Sequence, residues 1–502
     1  MKASFGWLIL GLWCQHAFGS PRPDFGLHGS VAGSASVVTV AGEAATLFDL
    51  IDRKTITLNS QYNTLYTLKD ALTEIGSEIA IAGQTLTSQL ETLANSTGPL
   101  LDAFNNVTSA LGNLSTVLTG NLTSQQSAIE QAVGPAIGLM LSDALNRLTA
   151  TLHRLEESLN KAKLGAIDAQ HAYGSAPIPA TDIRRYITPK IIDTLQRAEQ
   201  DMKSDLPLVT YIIELTLGHL EAADIYLSGF MSGADDAVQD AVSYFSPFYV
   251  EASEDAVATG EMVFTDIQTA YKNQTTQLNF IMADLAAMDS YATAMQLVFA
   301  KYANAIDDAR LQLLYDSIGT MFTTYFGLAA QLDDFLDQFL DVMLCEPVRA
   351  VLDVLIASGP WADYCFSKYS PRLSALAIVL SYDFQECYQI EATRLQRLFT
   401  LTERMVTQML FDVADLADNV LDCFYQIAGA SDCYAQIGPY YIELADTLAL
   451  KKGDLEQLID FETNANAARM GSCVSTAKYN MVLSAEAIVS AIGQCETSGP
   501  SH

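Results

Sequence analysis

Ile51, Leu58, Leu65, Leu72, Ile79, Leu86 and Leu93 recur at every seventh position, with Tyr62, Leu68, Ile75, Ala82 and Leu90 between them. A seven-residue apolar period predicts a long helix from about Glu43 with a continuous seam along one side. Gly76 and Gly83 lie inside that helix and are expected to weaken or bend it. Asn95-Ser96-Thr97-Gly98-Pro99 breaks the pattern; Ser96 or Thr97 can cap the next helix, and Pro99 suits its first turn. The period resumes through Leu100, Phe104, Val107, Leu111, Leu114 and Leu118, so a short break between two long helices predicts an antiparallel hairpin.

A third apolar segment follows Pro135 and runs from Leu139 to Leu159. Residues 173–181, with Pro177 and Pro179, read as a loop, and the helices beyond it are punctuated by Pro189, Pro207, Gly229 to Gly233 and Pro247. No proline then occurs until Pro347, and Leu278, Leu285, Ala292, Phe299, Ile306 and Leu313 keep the seven-residue period. Before Glu43 the pattern is different. Residues 21–42 are rich in Gly, Ser and Val without a helical period and are expected to form a flexible linker.

Five Asn-x-Ser/Thr sequons occur, at Asn95, Asn106, Asn113, Asn121 and Asn273. Asn106 and Asn113 each lie two residues beyond a seam position (Phe104, Leu111), so their glycans are expected to point away from the packed side. The first residues fit a signal peptide over 1–20: Lys2 supplies the charge, Phe5 to Trp13 the apolar stretch, and Ala17, Gly19 and Ser20 the small residues. No later stretch is long and apolar enough to be expected to span a membrane; the nearest, Leu206 to Leu220, is short and interrupted by Glu214 and His219. The ending Glu-Thr-Ser-Gly-Pro-Ser-His offers no apolar tail for a lipid anchor.

Cysteine usage adds a second division. Beyond Cys14 in the expected signal, all cysteines lie late in the chain: Cys345, Cys365, Cys387, Cys423, Cys433, Cys473 and Cys495. An exported chain is expected to form disulfides, and seven is odd, so one thiol is left free or bridges to another chain. Six paired cysteines allow 15 connectivities, and spacing does not choose among them. The organisation expected is therefore an elongated helical, coiled-coil-like region over 43–344, a cysteine-rich helical domain over 345–496, and a tail over 497–502. The fold class is all-α: long helical hairpins followed by a disulfide-stapled bundle.

Within that second region, Cys365-Phe366-Ser367-Lys368-Tyr369, Tyr382-Asp383-Phe384-Gln385-Glu386-Cys387-Tyr388, Leu421-Asp422-Cys423-Phe424 and Cys433 resemble the insect secreted domain named after the tsetse EP protein. The resemblance covers roughly residues 345–475. It implies a protein of an insect extracellular fluid (gut, haemolymph or reproductive tract) without a known catalytic site. The Glu-Pro repeat that names the tsetse protein is missing here.

The net charge of −32 repels nucleic acid and anionic membrane surfaces and is expected to reflect solvated outer helix faces. Asp235, Asp236 and Asp240 form one acidic cluster, Asp333, Asp334, Asp337 and Asp341 another. Asp412, Asp415, Asp418 and Asp422 step by three or four along one helix face, without the spacing of a calcium loop. No metal or cofactor is implied. His153 near Glu156 and Glu157 reads as a surface pairing, and His219, beside Leu217 and Leu220, as a core-edge residue. No nucleophile elbow, phosphate loop or zinc motif is present, so the chain reads as non-catalytic. The expected role is an extracellular interaction or structural protein, self-associating or bound to a protein partner, with a disulfide-linked dimer through the odd cysteine. The alternative is a carrier of lipid or another apolar ligand.

Overall fold

The computed structural model describes residues 24–500 apart from residue 97, most of 306–342 and residue 427. The expected signal peptide, His502 and the Asp333 to Asp341 cluster lie outside the described residues. The fold is all-α: among the described residues there are twelve α-helices, one π-helical turn and no strand. In order they are α1 (Ser34–Ile51), α2 (Asn63–Ala94), α3 (Leu100–Thr116), the π-turn (Val117–Asn121), α4 (Thr123–Val133), α5 (Ala136–Tyr173), α6 (Ala180–Tyr186) and α7 (Pro189–Ala286). After them come α8 (Asp289–Ala294), α9 (Gln296–Ala305), α10 (Cys345–Ile356), α11 (Ala362–Tyr425) and α12 (Ala430–Ser498).

The chain forms two compact units. The first comprises residues 1–230, 348–370 and 489–502, the second residues 231–347 and 371–488. The division therefore does not follow the boundary at 344/345 that the cysteine distribution suggested.

In the first unit the seam positions from Ile51 to Leu93 are all buried, yet they do not share one helix. The chain leaves α1 at Ile51 and re-enters helix only at Asn63. The intervening Thr55-Ile56-Thr57 is a β-branched run that disfavours helix. The Asp224 carboxylate on α7 holds this segment by accepting the backbone N–H groups of Asn59 (2.9 Å) and Ser60 (2.8 Å), and Lys54 donates to the Glu214 carbonyl at 3.0 Å. α2 then folds back on α1. A Cβ built on Gly83 would fall 2.1 Å from the Phe48 ring, and one on Gly76 would meet the Ile51 carbonyl oxygen at 3.1 Å. These two glycines allow close helix packing where the sequence suggested bending.

Residues 24–42 are part of this core, which corrects the linker expectation. α1 begins at Ser34, and Phe25, Leu27 and Val31 are buried before it. The buried Asp24 carboxylate accepts from Ser30 Oγ (3.2 Å), the Val31 N–H (2.8 Å) and Ser34 Oγ (2.7 Å). Phe25 and Gly26 donate their N–H groups to the Leu93 and Ser96 carbonyls, satisfying the open end of α2. A Gly/Ser-rich composition here serves tight turns. Gly26 and Gly33 have φ of 74° and 100°, in the left-handed region that glycine favours. α1 is also, among the described residues, the one helix long and apolar enough to cross a membrane. Its Val37, Val40, Ala41, Ala44, Phe48 and Ile51 face the protein core instead.

Other boundaries moved as well. α7 passes through Pro207 and Pro247, which the sequence suggested would punctuate the helices, and α11 passes through Pro371. In the proline-free stretch the helix ends at Ala286, because Met288 is extended (φ −92°, ψ 119°) and starts α8. The second unit packs the end of α7, α8 and α9 against the α11–α12 hairpin through Leu285, Tyr291, Met295, Val298, Tyr302, Tyr434 and Leu448. Gly438 permits the closest approach, since a Cβ there would meet the Ala294 carbonyl oxygen at 2.8 Å.

Candidate functional site

Three arrangements carry side-chain chemistry. The first is the sequon set. Asn95 follows the end of α2, Asn106 and Asn113 lie on α3, Asn121 ends the π-turn and Asn273 lies on α7; all five are exposed. On α3 the helix period places Asn106 and Asn113 opposite Phe104, Leu111 and Leu114, which are buried.

The second is the cysteine map. Cys365 pairs with Cys495, Cys387 with Cys473, and Cys423 with Cys433; Cys345 is unpaired and exposed at the start of α10. All three bridges join α11 to α12, and because the two helices run antiparallel each bridge fixes the same register. Charged groups reinforce it. The buried Glu391 carboxylate accepts from Arg469 Nε at 3.3 Å and pairs with Arg394, while Asn466 Nδ2 donates to the Glu391 carbonyl at 3.3 Å. Lys451 donates to Asp412 at 2.9 Å. Tyr441 donates to the Asp415 carboxylate at 2.7 Å, and burial, together with this bond, raises its pKa. The acidic face read from the sequence is therefore not only solvated: Asp412 and Asp415 tie α11 to α12. Asp235, Asp236 and Asp240 on α7 are exposed. Among the described residues no group of three or more His, Cys, Asp or Glu is placed to hold a metal ion.

The third arrangement was invisible in the sequence. His219 on α7 stands with Nδ1 at 2.8 Å from Ser358 Oγ and Nε2 at 3.1 Å from Asp363 Oδ1. In the neutral ring, Nε2–H donates to the carboxylate and Nδ1 accepts the serine O–H, so every group is satisfied. Ser358 has φ 53° and closes α10 as a left-handed cap, its N–H donating to the Leu355 carbonyl at 3.1 Å. The composition is that of a hydrolytic triad, but the access is reversed. Ser358 is 5% exposed whereas the Asp363 side chain is 77% exposed. A nucleophile must reach its substrate, so these residues act as a tie that fastens the α10–α11 corner to α7. Burial holds the His219 pKa below its ordinary 6.5, against the pull of Asp363. The residues lie 139 and 144 positions apart from His219, which is why no motif could disclose them. His153, by contrast, is exposed and pairs with Glu156 at 3.8 Å, as a three-residue helical spacing suggests.

One buried ionisable group stands apart. Glu199 on α7 is fully buried, both carboxylate oxygens lack a hydrogen-bond partner, and burial pushes its pKa up to about 9. It occupies a seam position among Ile192, Leu195, Met202 and Leu206.

Comparison with protein-family models, with curated proteins and with solved structures finds no match to this chain. Three disulfides in an all-α chain fit a secreted protein.

Proposed function

We propose that the chain is a secreted, glycosylated, non-catalytic interaction or structural protein of an insect extracellular fluid, with its C-terminal part akin to the tsetse EP domain. The observation that carries this reading is that all five sequon asparagines are exposed in a chain that also holds three disulfides. Sugar at those positions requires passage through the secretory pathway, and disulfides persist there. Long helices with charged outer faces keep such a protein soluble while leaving it broad surfaces for partners. Expression in insect cells tests the reading. The chain is expected in the medium, with a mobility that falls to that of the bare polypeptide on N-glycosidase digestion. Retention in the cell without a glycosidase-sensitive shift overturns it.

The exposed Cys345 adds a partner prediction: a dimer linked through this thiol. Non-reducing electrophoresis is expected to show a band at twice the monomer mass that disappears in Cys345→Ser. A monomer carrying one alkylatable thiol overturns the dimer but leaves the secreted reading intact.

A further inference from the structure

The outward side of the α11–α12 hairpin carries a regular apolar pattern. On α11, Val379, Ile390 and Leu401 are spaced by eleven residues, and Phe411 follows ten later. On α12, Leu450, Phe461 and Leu483 keep the same interval, with Ser472 at the vacant position. Eleven residues are close to three helical turns, so each set lies along one face of its helix. All seven apolar residues are between 43 and 70% exposed. On both helices that face is opposite the buried positions, among them Leu395, Val406 and Val413 on α11 and Leu455, Ile459 and Met470 on α12.

The two sets also match across the hairpin. Cys387–Cys473, Glu391–Arg469 and Asp412–Lys451 fix the antiparallel register. With that register, Phe411 stands level with Leu450, Leu401 with Phe461 and Val379 with Leu483, each to within about a helical turn. Single exposed apolar residues are ordinary on a protein surface. Pairs at three matched levels on one face, at a common interval, form a track with a groove between two helices.

The charges beside the track decide what it can accept. By helix period, the exposed Glu386, Asp418 and Asp422 on α11 and Glu443, Asp454 and Glu486 on α12 share that outer side, against Arg372, Arg394, Arg397 and Arg404, all on α11, so the α12 flank is the acidic one. The chain as a whole is at −32, which disfavours a second copy and an anionic lipid surface alike. We propose that this face docks a cationic amphipathic helix of a partner protein, laid along the groove with its apolar residues seated between the paired levels. The mode is helix-in-groove recognition, with the acidic α12 flank steering a basic partner. This rests on the interaction reading above and names the surface and the class of partner.

The test uses the full secreted chain and a 22-residue capped Leu/Lys/Ala helical peptide, followed by fluorescence anisotropy. Controls are the same peptide with Glu in place of Lys, a scrambled Leu/Lys/Ala peptide without helical period, and phosphatidylcholine vesicles. The double variants Leu401→Ser/Phe461→Ser and Phe411→Ser/Leu450→Ser alter only exposed side chains, and circular dichroism checks that their helix content is unchanged. The cationic helix is expected to bind, to bind about tenfold more weakly to either variant, and to weaken further as salt rises. Equal binding to the variants or of the scrambled peptide shows bulk charge attraction and overturns the proposal, as does binding only of vesicles or of nothing. None of those results touches secretion or glycosylation, so failure of this face is distinguishable from failure of the reading beneath it.

Discussion

Two helical hairpins in this protein are held together by different means. In the first unit, α1 and α2 pack through glycines: Gly83 receives the Phe48 ring and Gly76 the end of α1, and both helices bury continuous apolar faces. In the second unit, the α11–α12 hairpin is tied by Cys387–Cys473, Cys423–Cys433, the Glu391–Arg469 pair and the Asp412–Lys451 pair. The first hairpin is short, so side-chain fit along its length suffices to set its register. The second has helices of 64 and 69 residues, where a slip of one turn changes apolar burial little. Covalent and charged pairs at fixed levels exclude such slips, at the cost of burying ionic groups.

If the staple carries the second hairpin, its removal should give the largest effect. Cys387→Ala/Cys473→Ala opens a loop of 86 residues, and the chain-entropy model puts the loss at about 4–5 kcal/mol. Hydrogen exchange should quicken in residues 371–488 and leave α1 and α2 protected. Equal loss of protection in both hairpins would mean that the contrast between them is false.

Glu199 sharpens the other side of the comparison, because it is a flaw in a well-packed unit. Its folded pKa of about 9 lies above its ordinary 4.5, so the folded state holds a proton that the unfolded state releases as pH rises. Stability is therefore lost progressively between those two values. Glu199→Met is expected to stabilise by roughly 3 kcal/mol at pH 7 through the titration alone, with a gain that grows toward pH 9 and falls near pH 4 to the pH-independent part left by the unpaired neutral carboxyl. Denaturant melts across that range check it; a gain independent of pH would assign the effect to packing alone.

Glycine substitutions test the packing claim directly. Gly83→Ala should destabilise by about 1–3 kcal/mol despite the better helix former, because its Cβ collides with Phe48. Gly453→Ala, on α12 with nothing within 4 Å, should stabilise by up to about 1 kcal/mol. Thermal melts in which both changes have the same sign would remove the distinction between the hairpins.

The smallest effect is expected at His219. Its folded pKa is below the ordinary 6.5, so stability falls as pH drops from about 6.5 through the folded value. His219→Gln should flatten that part of the pH–stability curve. An unchanged slope in the variant would place the acid sensitivity elsewhere.

The residues that the seven-residue period marked as seam are buried, from Ile51 to Leu93, because burial depends on local amphipathicity. The period did not reveal that residues 52–62 leave the helix, since Leu58 keeps its place in the core from a non-helical segment. The linker expectation failed for a related reason: Gly26 and Gly33 read as flexibility but serve fixed left-handed turns, and Asp24 gathers three donors there. The sequons and the odd cysteine were legible because each is a local or a counted property. Which cysteines pair, and that His219 meets Ser358 and Asp363, were not: the bridges span 10, 86 and 130 positions, a spread that spacing does not choose, and the partners of His219 lie 139 and 144 positions away.

The amino-acid sequence by itself determined the helical class, the buried seam from Ile51 to Leu93 and the candidate sugar and thiol sites, all set by neighbours within a few turns; Leu139 and Leu313, read as stripe positions, are exposed. Only the tertiary structure decided where helices stop, which glycines are contacts, how α11 is registered on α12 and which acidic residues turn inward. Those features depend on what lies across the helix interface, and the period along one helix carries no record of its partner.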